Sequence, residues 1–82
     1  MPTTFVLVNT EIEPGVEKVA LEAIKKIEGV EEAYAVYGVY DIIARVNANT
    51  MDELNEIVNE RIRKVEKVRS TLTMIVVEPI SR

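Results

Sequence analysis

The stretch that decides the fold reads YGVYD and occupies residues 37–41. It separates two runs of strand-forming residues, Glu32–Val36 and Ile42–Asn47, and it contains a glycine where a tight reversal can form. The connection between the two runs is too short to contain a helix. The two strands are therefore predicted to pair as an antiparallel hairpin.

The residues before this hairpin predict a strand followed by a helix. Thr4–Asn9 is a β-branched and aromatic run that is apolar on both faces, which indicates a strand covered on both sides. Apolar residues then recur at helical spacing, which predicts a helix over about residues 15–28, with Pro14 near its first turn. Gly29 suits the left-handed conformation that ends many helices.

The residues after the hairpin repeat the plan. Thr50 and Glu53 form a capping-box pattern ahead of a second apolar stripe at helical spacing, and Val68–Glu78 has the composition of a long final strand. The order is β-α-β-β-α-β in a single domain of 82 residues. Because right-handed crossovers put both helices on one face of the sheet, we predict an α+β, ferredoxin-like sandwich with a four-stranded antiparallel sheet.

The second face of this sheet is expected to need a partner. Either the even-numbered or the odd-numbered residues of the first strand face the helices. In both cases the other face retains large apolar side chains, such as Val6 and Val8 or Phe5 and Leu7. A bare face of this kind exceeds what a soluble monomer normally exposes. We therefore predict a homodimer packed sheet against sheet. The alternative is a monomer whose open face is merely less polar than usual.

Composition excludes several functions. The chain has no cysteine and no histidine, so disulfides, Cys/His zinc sites and catalysis by imidazole or thiol are excluded. Its 10 basic residues are interleaved with 14 acidic ones, which argues against direct binding of nucleic acid. No apolar run approaches the ~20 residues of a membrane span, and the N-terminus lacks a signal-peptide pattern, so we expect a cytoplasmic protein without membrane contact. The bias toward Glu, Lys, Arg, Val and Ile is common in thermophile proteins.

Asp41 is the strongest candidate for a binding residue. An aspartate that enters a strand is unfavourable by propensity, and Tyr40 beside it supplies a hydroxyl. Thr71 and Thr73 offer two more hydroxyls on one face of the last strand. A carboxylate for an ammonium group, with hydroxyls or loop N–H groups for a carboxylate, would bind a small zwitterion. The alternative is that Asp41 accepts hydrogen bonds from the hairpin and that the threonines are simply good strand formers.

Two segments resemble a known family. Residues 36–46, an apolar strand, G-x-Y-D and a second apolar strand, are similar to the central signature of the effector-binding (RAM) domain of Lrp/AsnC-type transcription regulators. Residues 68–76 are similar to the closing strand of that domain with its threonine pair. The resemblance implies a non-enzymatic sensing and oligomerisation module that forms dimers, joins them into rings and binds amino-acid effectors between dimers. Asp41 would then contact the effector's ammonium group. The implied ligand-binding residues are Gly38, Val39, Tyr40, Asp41, Thr71 and Thr73.

The chain departs from the regulators in two ways. It begins at the first strand and lacks their DNA-binding helix-turn-helix, so it resembles a stand-alone module that modulates a full-length regulator by mixed assembly. Residues 63–68 also lack the glycine that often precedes the final strand. Two other functions stay open, a small dimeric ferredoxin-like enzyme (monooxygenase- or isomerase-like) and a purely structural oligomerisation module. Such enzymes often use histidine, which this chain lacks, and neither a metal nor a cofactor is expected.

Overall fold

The architecture is a four-stranded antiparallel sheet with helices on one face. A computed structural model describes residues 3–77. The strands are β1 (Thr4–Thr10), β2 (Val30–Ala35), β3 (Ile42–Val46) and β4 (Val68–Ile75), and the helices are α1 (Val16–Lys25) and α2 (Met51–Asn55), which continues as a π-helix over Glu56–Ile62. The strand order is β2-β3-β1-β4, with every neighbouring pair antiparallel. The predicted ferredoxin-like α+β fold is confirmed.

Element ends differ from the sequence prediction by a few residues. Helix α1 ends at Lys25 rather than near residue 28, because its last turn tightens and the N–H of Ile27 donates to the carbonyl of Ile24. Strand β2 begins at Val30, before the predicted run, and ends at Ala35, one residue before its predicted end, while β3 ends at Val46 rather than Asn47. Val36 and Asp41 close the ladder, and the residues between them form the loop. Glu78, the predicted end of the last strand, lies outside the described residues.

The structure decides which face of the sheet the helices cover. Val6 and Val8 of β1 are fully buried beneath the helices, as is Ile42 of β3. Phe5 and Leu7 point to the opposite face, where they lie across from Met74 and Leu72 of β4. The alternation in β1 is complete, because its even-numbered residues are buried and its odd-numbered residues are half-buried.

The second helical segment packs its buried side chains with π-helical spacing. Ile57, Val58 and Ile62 are buried, and the N–H of Arg63 donates to the carbonyl of Val58, five residues earlier. The sequence predicted an α-helix here, because this apolar spacing fits both helix types. Ile57 also lies directly over Gly29, where an added Cβ would stand 2.5 Å from the Ile57 Cδ1 atom.

The other face of the sheet is apolar and uncovered by any described part of the chain. Tyr34, Leu72 and Met74 are 55, 45 and 52% exposed, and they flank the half-buried side chains of Phe5 and Leu7. Arg45 interrupts this surface toward one end, where it forms ion pairs with Glu31 and Glu32.

Candidate functional site

Asp41 is fixed by the strands on both sides of it. It directly precedes β3 and ends the hairpin loop. Its N–H donates to the carbonyl of Val8 in β1 at 2.9 Å, and its carbonyl accepts from the N–H of Val36 at 2.9 Å. The backbone therefore holds the Asp41 side chain at one end of the sheet, beside the point where β1 leaves it.

The Asp41 carboxylate completes the hydrogen bonding of β1. Its Oδ2 atom accepts from the Thr10 N–H at 2.8 Å and from the Thr10 Oγ1 hydroxyl at 3.2 Å. Thr10 is only 4% exposed and lies beyond Val8, where the pairing of β1 with β3 ends, so the carboxylate supplies an acceptor that β3 no longer offers. Both hydrogen bonds use Oδ2. Within the described residues, Oδ1 accepts none, so the Asp41 carboxylate takes its hydrogen bonds from β1 rather than from the hairpin.

A cavity of 420 Å³ lies between Asp41 and the loop that connects β1 to α1. We call it the Asp41 cavity. Four of its lining side chains are carboxylates and no Lys or Arg among residues 3–77 lines it, so its electrostatic potential favours a cationic group. Its lining residues are Thr10, Glu11, Ile12, Glu13, Pro14, Gly15, Glu17 and Asp41.

Lys67 holds the loop wall of this cavity at two points. Its carbonyl accepts from the Glu11 N–H at 2.8 Å, and its Nζ donates to Glu13 Oε2 at 3.1 Å. The hydrogen bond with Glu13, followed by the attraction of that carboxylate, raises the pKa of Lys67 above its ordinary value. Arg69 adds a longer ion pair to Glu11, at 3.6 Å. The loop is therefore tied to the segment that leads into β4.

Lys67 adopts a backbone conformation that favours glycine. Its φ is 76°, and among residues 3–77 no other non-glycine residue has a positive φ. This is the turn before β4 that lacks the glycine often found in the resembled family. A lysine in the left-handed region strains the backbone, because its Cβ approaches the following carbonyl oxygen. The sequence showed only that the glycine is missing, and the structure places Lys67 in the left-handed conformation at this turn.

The rest of the hairpin loop does not line the Asp41 cavity. Tyr37 is fully exposed and Val39 is 87% exposed, whereas Tyr40 is half-buried. Gly38 is exposed, and a Cβ added there would meet nothing within 4 Å. Its φ is not positive, so this reversal does not require glycine. Gly38, Val39 and Tyr40 thus lie beside Asp41 in the chain but do not line its cavity.

Thr71 and Thr73 lie on the edge strand and point to the helix side of the sheet. Thr71 is opposite Val8, and Val8 pairs with Ile42 of β3 on its other side. Strand β1 therefore separates Thr71 from Asp41. Thr71 is half-buried, Thr73 is exposed, and neither lines the Asp41 cavity. Within one chain, the structure brings the predicted residues into one sheet but not into one cavity.

Sequence reasoning missed three residues of this corner, namely Thr10, Glu13 and Lys67. Thr10 is 31 residues from Asp41 and carries no local signal that would connect the two. The absence of glycine before β4 was a signal for Lys67, because any residue that replaces that glycine must adopt the left-handed conformation of the turn. Glu13 becomes relevant only through the Lys67 Nζ atom that it accepts from.

A larger cavity of 500 Å³ lies at the opposite end of the sheet. It is lined by Glu28, Gly29, Asn47, Asn49, Glu53, Glu56, Ile57 and Arg61. Throughout residues 3–77, no group of three or more acidic side chains is arranged to hold a metal ion. None of the helices described in that range has the length and apolarity to cross a membrane.

The comparison with family models decides the relationship. The model of the Lrp/AsnC ligand binding domain matches residues 3–82. The chain belongs to this family. The resemblance inferred from the hairpin and the final strand is thereby confirmed.

Curated relatives include longer proteins. An uncharacterized HTH-type transcriptional regulator of Pyrococcus furiosus is 38% identical over 74 residues, which cover 89% of this chain and 49% of the regulator. The chain thus spans about half the length of the regulators that it matches. A homocitrate synthase of Sulfolobus acidocaldarius is 46% identical over 52 residues, which cover 63% of this chain and 11% of the synthase.

Solved structures agree with the family and the fold. A protein of Thermus thermophilus is 32% identical and has a TM-score of 0.88, with 100% of both chains covered. AsnC of E. coli is 27% identical with a TM-score of 0.85, over 98% of this chain and 54% of AsnC. A transcriptional regulator of Neisseria meningitidis, solved as an L-Met complex, shares the fold at 15% identity and a TM-score of 0.85.

Proposed function

We propose that the chain is a non-enzymatic sensing and assembly module of the Lrp/AsnC family, and that its effector is an amino acid bound at Asp41. One observation carries the proposal: the Asp41 carboxylate borders a cavity, and one of its oxygens accepts no hydrogen bond from residues 3–77. Oδ2 is committed to Thr10, so Oδ1 is available to an ammonium group without loss of the contact that holds Asp41 in place.

The size and charge of the cavity support a small cationic or zwitterionic ligand. Its volume of 420 Å³ lies within the range of small-molecule sites, which is roughly 300–1,000 Å³. A hydrogen bond between an ammonium group and a carboxylate is about twice as strong as a neutral one. Because the wall is rich in carboxylates, an effector would enter with its ammonium group toward Asp41.

The remaining predicted residues complete the site at a contact between dimers. The hairpin loop exposes Tyr37 and Val39, and apolar side chains of this kind are what a subunit contact buries. A neighbouring dimer that covers the loop would bring Gly38, Val39 and Tyr40 against the effector. Thr71 and Thr73 would lie on the strand side of the same contact.

The open face of the sheet supports the dimer itself. Two copies packed through Tyr34, Leu72 and Met74 would bury apolar surface that the chain alone leaves in water. Longer regulators contain the same domain, so one copy of this chain would replace one copy of theirs in a mixed assembly. The homocitrate synthase match supports no enzymatic activity, because it covers only 11% of that enzyme.

Calorimetry with the twenty amino acids tests the binding site. We expect at least one of them to bind the wild-type protein and Asp41→Asn to weaken that binding by about tenfold or more, since it removes a charge-assisted hydrogen bond. An asparagine oxygen still accepts from Thr10, so the variant keeps the local fold. Asp52→Asn, on α2, is the matched control and should bind normally. Absence of binding, or equal affinity of the two variants, would contradict the assignment.

Sedimentation velocity tests the assembly. The wild-type protein should sediment as a dimer or a larger species rather than as a 9.2 kDa monomer. Leu72→Glu, which puts a charge on the open face, should shift it toward the monomer. Val19→Glu is the matched control, because Val19 is 69% exposed on α1 rather than on the open face. A wild-type monomer at micromolar concentration would remove the dimer proposal.

A further inference from the structure

The Asp41 cavity presents a problem for a zwitterion. Asp41, Glu11, Glu13 and Glu17 line it, and no cationic side chain of the described part of the chain does. The ammonium group of an amino acid is attracted to this wall, but the carboxylate of the same molecule is repelled by it. An amino acid therefore needs a cation that the cavity wall itself does not supply.

Lys67 is the cation bound most directly to this wall. Its Nζ donates to Glu13 Oε2 at 3.1 Å, whereas Arg69 approaches Glu11 only to 3.6 Å. The side chains of Lys67 and Glu13 are 41 and 52% exposed, so their ion pair is open to exchange with a solvent-borne carboxylate. The flexible stem of a lysine allows its ammonium group to follow a new partner.

Lys67 reaches the Asp41 cavity through the loop residues Glu13, Pro14 and Gly15. These three residues line the Asp41 cavity, and together with Lys67 they also line a neighbouring cavity of 230 Å³. Asp41 binds Thr10 from the β3 side, and Thr10 pairs with Val68, the residue after Lys67, on the β4 side. A ligand carboxylate that takes the place of the Glu13 carboxylate would therefore meet the Lys67 Nζ atom.

The backbone at Lys67 is strained, and the packing of the side chain does not explain why lysine rather than glycine occupies this position. Glycine would adopt a φ of 76° without strain, yet the chain has lysine there, with a side chain that lies partly in water. Residues with a strained backbone cluster at functional sites. The part of Lys67 that a glycine would lack is its ammonium group and the stem that carries it.

We infer that Lys67 binds the α-carboxylate of the effector, which displaces Glu13 from the Lys67 Nζ atom. The inference rests on the amino-acid site proposed at Asp41, and it adds which ligands that site selects. Asp41 selects the ammonium group, and Lys67 selects ligands with a free α-carboxylate. In the absence of ligand, the Glu13 carboxylate is bound to the Lys67 Nζ atom. Glu13 therefore competes with the carboxylate of the ligand for that atom. Amino-acid amides should therefore bind poorly.

The test is calorimetry with the twenty L-amino acids and their twenty carboxamides. The wild-type protein should bind at least one amino acid about tenfold or more tightly than its carboxamide. Lys67→Gly and Lys67→Gln should abolish this preference and leave carboxamide affinity unchanged. Glu13→Gln should raise the affinity for the amino acid several-fold, because it removes the competitor. Lys64→Gln, an exposed lysine on the preceding turn, is the control and should match the wild type.

The inference predicts that Lys67→Gln lowers the affinity for the amino acid and that Glu13→Gln raises it. These opposite changes distinguish ligand binding by Lys67 from mere support of the loop. If the Lys67–Glu13 pair only held the loop, Lys67→Gln and Glu13→Gln would weaken binding alike, and this outcome would overturn the inference. A carboxamide that binds as tightly as its amino acid would also overturn it. Binding that depends on Asp41 but not on Lys67 would refute this inference alone. No binding of any amino acid would refute the proposed function as well.

Discussion

The two ends of the sheet carry similar features that have different causes. At the Gly29 end, where β2 begins and β3 ends, Gly29 has a φ of 101° beside a cavity of 500 Å³. At the Asp41 end, where β3 begins and β4 begins, Lys67 has a φ of 76° near a cavity of 420 Å³. Each end thus combines a left-handed residue with a cavity.

Packing explains the Gly29 end and leaves the Asp41 end without such an explanation. Gly29 lies beneath Ile57, and its carbonyl accepts from the Asn47 N–H at 2.7 Å, so no side chain fits there. Lys67 has a side chain in a conformation suited to glycine, and that side chain reaches the wall of the Asp41 cavity. The comparison teaches that packing explains the left-handed residue beside the larger cavity, whereas the left-handed residue beside the smaller cavity carries a charged side chain to its wall.

The largest expected effect is at the Gly29 end. Gly29→Ala puts a Cβ 2.5 Å from the Ile57 Cδ1 atom at a φ that alanine avoids, so it should lower the free energy of unfolding by about 2–4 kcal/mol. Urea denaturation measures this loss. Gly38→Ala is the matched control, because nothing lies within 4 Å of its added Cβ, and it should be nearly neutral. Equal stabilities of the two variants would remove the packing explanation.

The next effect concerns Asp41 and separates its structural role from its role in ligand binding. Asp41→Ala leaves the buried N–H of Thr10 without an acceptor and should lower the free energy of unfolding by about 1–3 kcal/mol. Asp41→Asn keeps an acceptor oxygen and should lose clearly less. Denaturation of both variants without ligand makes the comparison. If they lose the same stability, the carboxylate oxygen does not complete the β1 ladder as described.

A smaller effect tests the strain at Lys67. Lys67→Gly and Lys67→Ala both remove the ion pair with Glu13, but only glycine relieves the left-handed backbone. The glycine variant should melt roughly 4–8 °C above the alanine variant. Thermal unfolding followed by circular dichroism measures the difference. An alanine variant at least as stable as the glycine variant would show that this turn is not strained.

The smallest effect is a pH dependence at Glu32. The hydrogen bond from Arg45, with the attraction of its charge, lowers the pKa of Glu32 below its ordinary 4.5. A carboxyl group whose pKa falls on folding stabilises the protein above its unfolded pKa, and that contribution is lost as the pH falls through the folded pKa. The loss of stability on Glu32→Gln should therefore be smaller at acidic pH than at neutral pH. The pair is exposed, so the whole effect is small.

Denaturant melts in both pH ranges check this prediction. Glu60→Gln serves as the control, because Glu60 is exposed and no ion pair involves it within residues 3–77. The control should show no such pH dependence. A destabilisation by Glu32→Gln that grows as the pH falls would have the wrong sign for this ion pair.

The sequence was sufficient for the fold and insufficient for the details of the site. Periodicity and the short hairpin connection predicted the order of elements, and Thr50 does cap the second helix, accepting from the Glu53 N–H at 3.1 Å. Alternation did not decide which face the helices cover, because Val6 and Phe5 both belong to apolar rows. That choice depends on packing between elements distant in the chain.

The same limit applies to the Asp41 corner. The sequence identified Asp41 as unusual, since an aspartate at the start of a strand needs a partner. It did not identify Thr10 as that partner, because the hydrogen bond depends on β1 lying beside β3. The position of Thr71 and Thr73 relative to Asp41 likewise depends on the strand order, which places β1 between them. Contacts across the sheet, rather than local propensities, form this corner.

The most direct test of the account is an NMR titration of the ¹⁵N-labelled protein with the amino acid that calorimetry selects. The account predicts that the amide signals of Thr10, Glu11 and Asp41 shift with saturation, while those of Gly29 and Asn47 remain in place. Saturable shifts concentrated at Gly29 and Asn47, with none at Thr10 and Asp41, would contradict it and assign the ligand to the other end of the sheet.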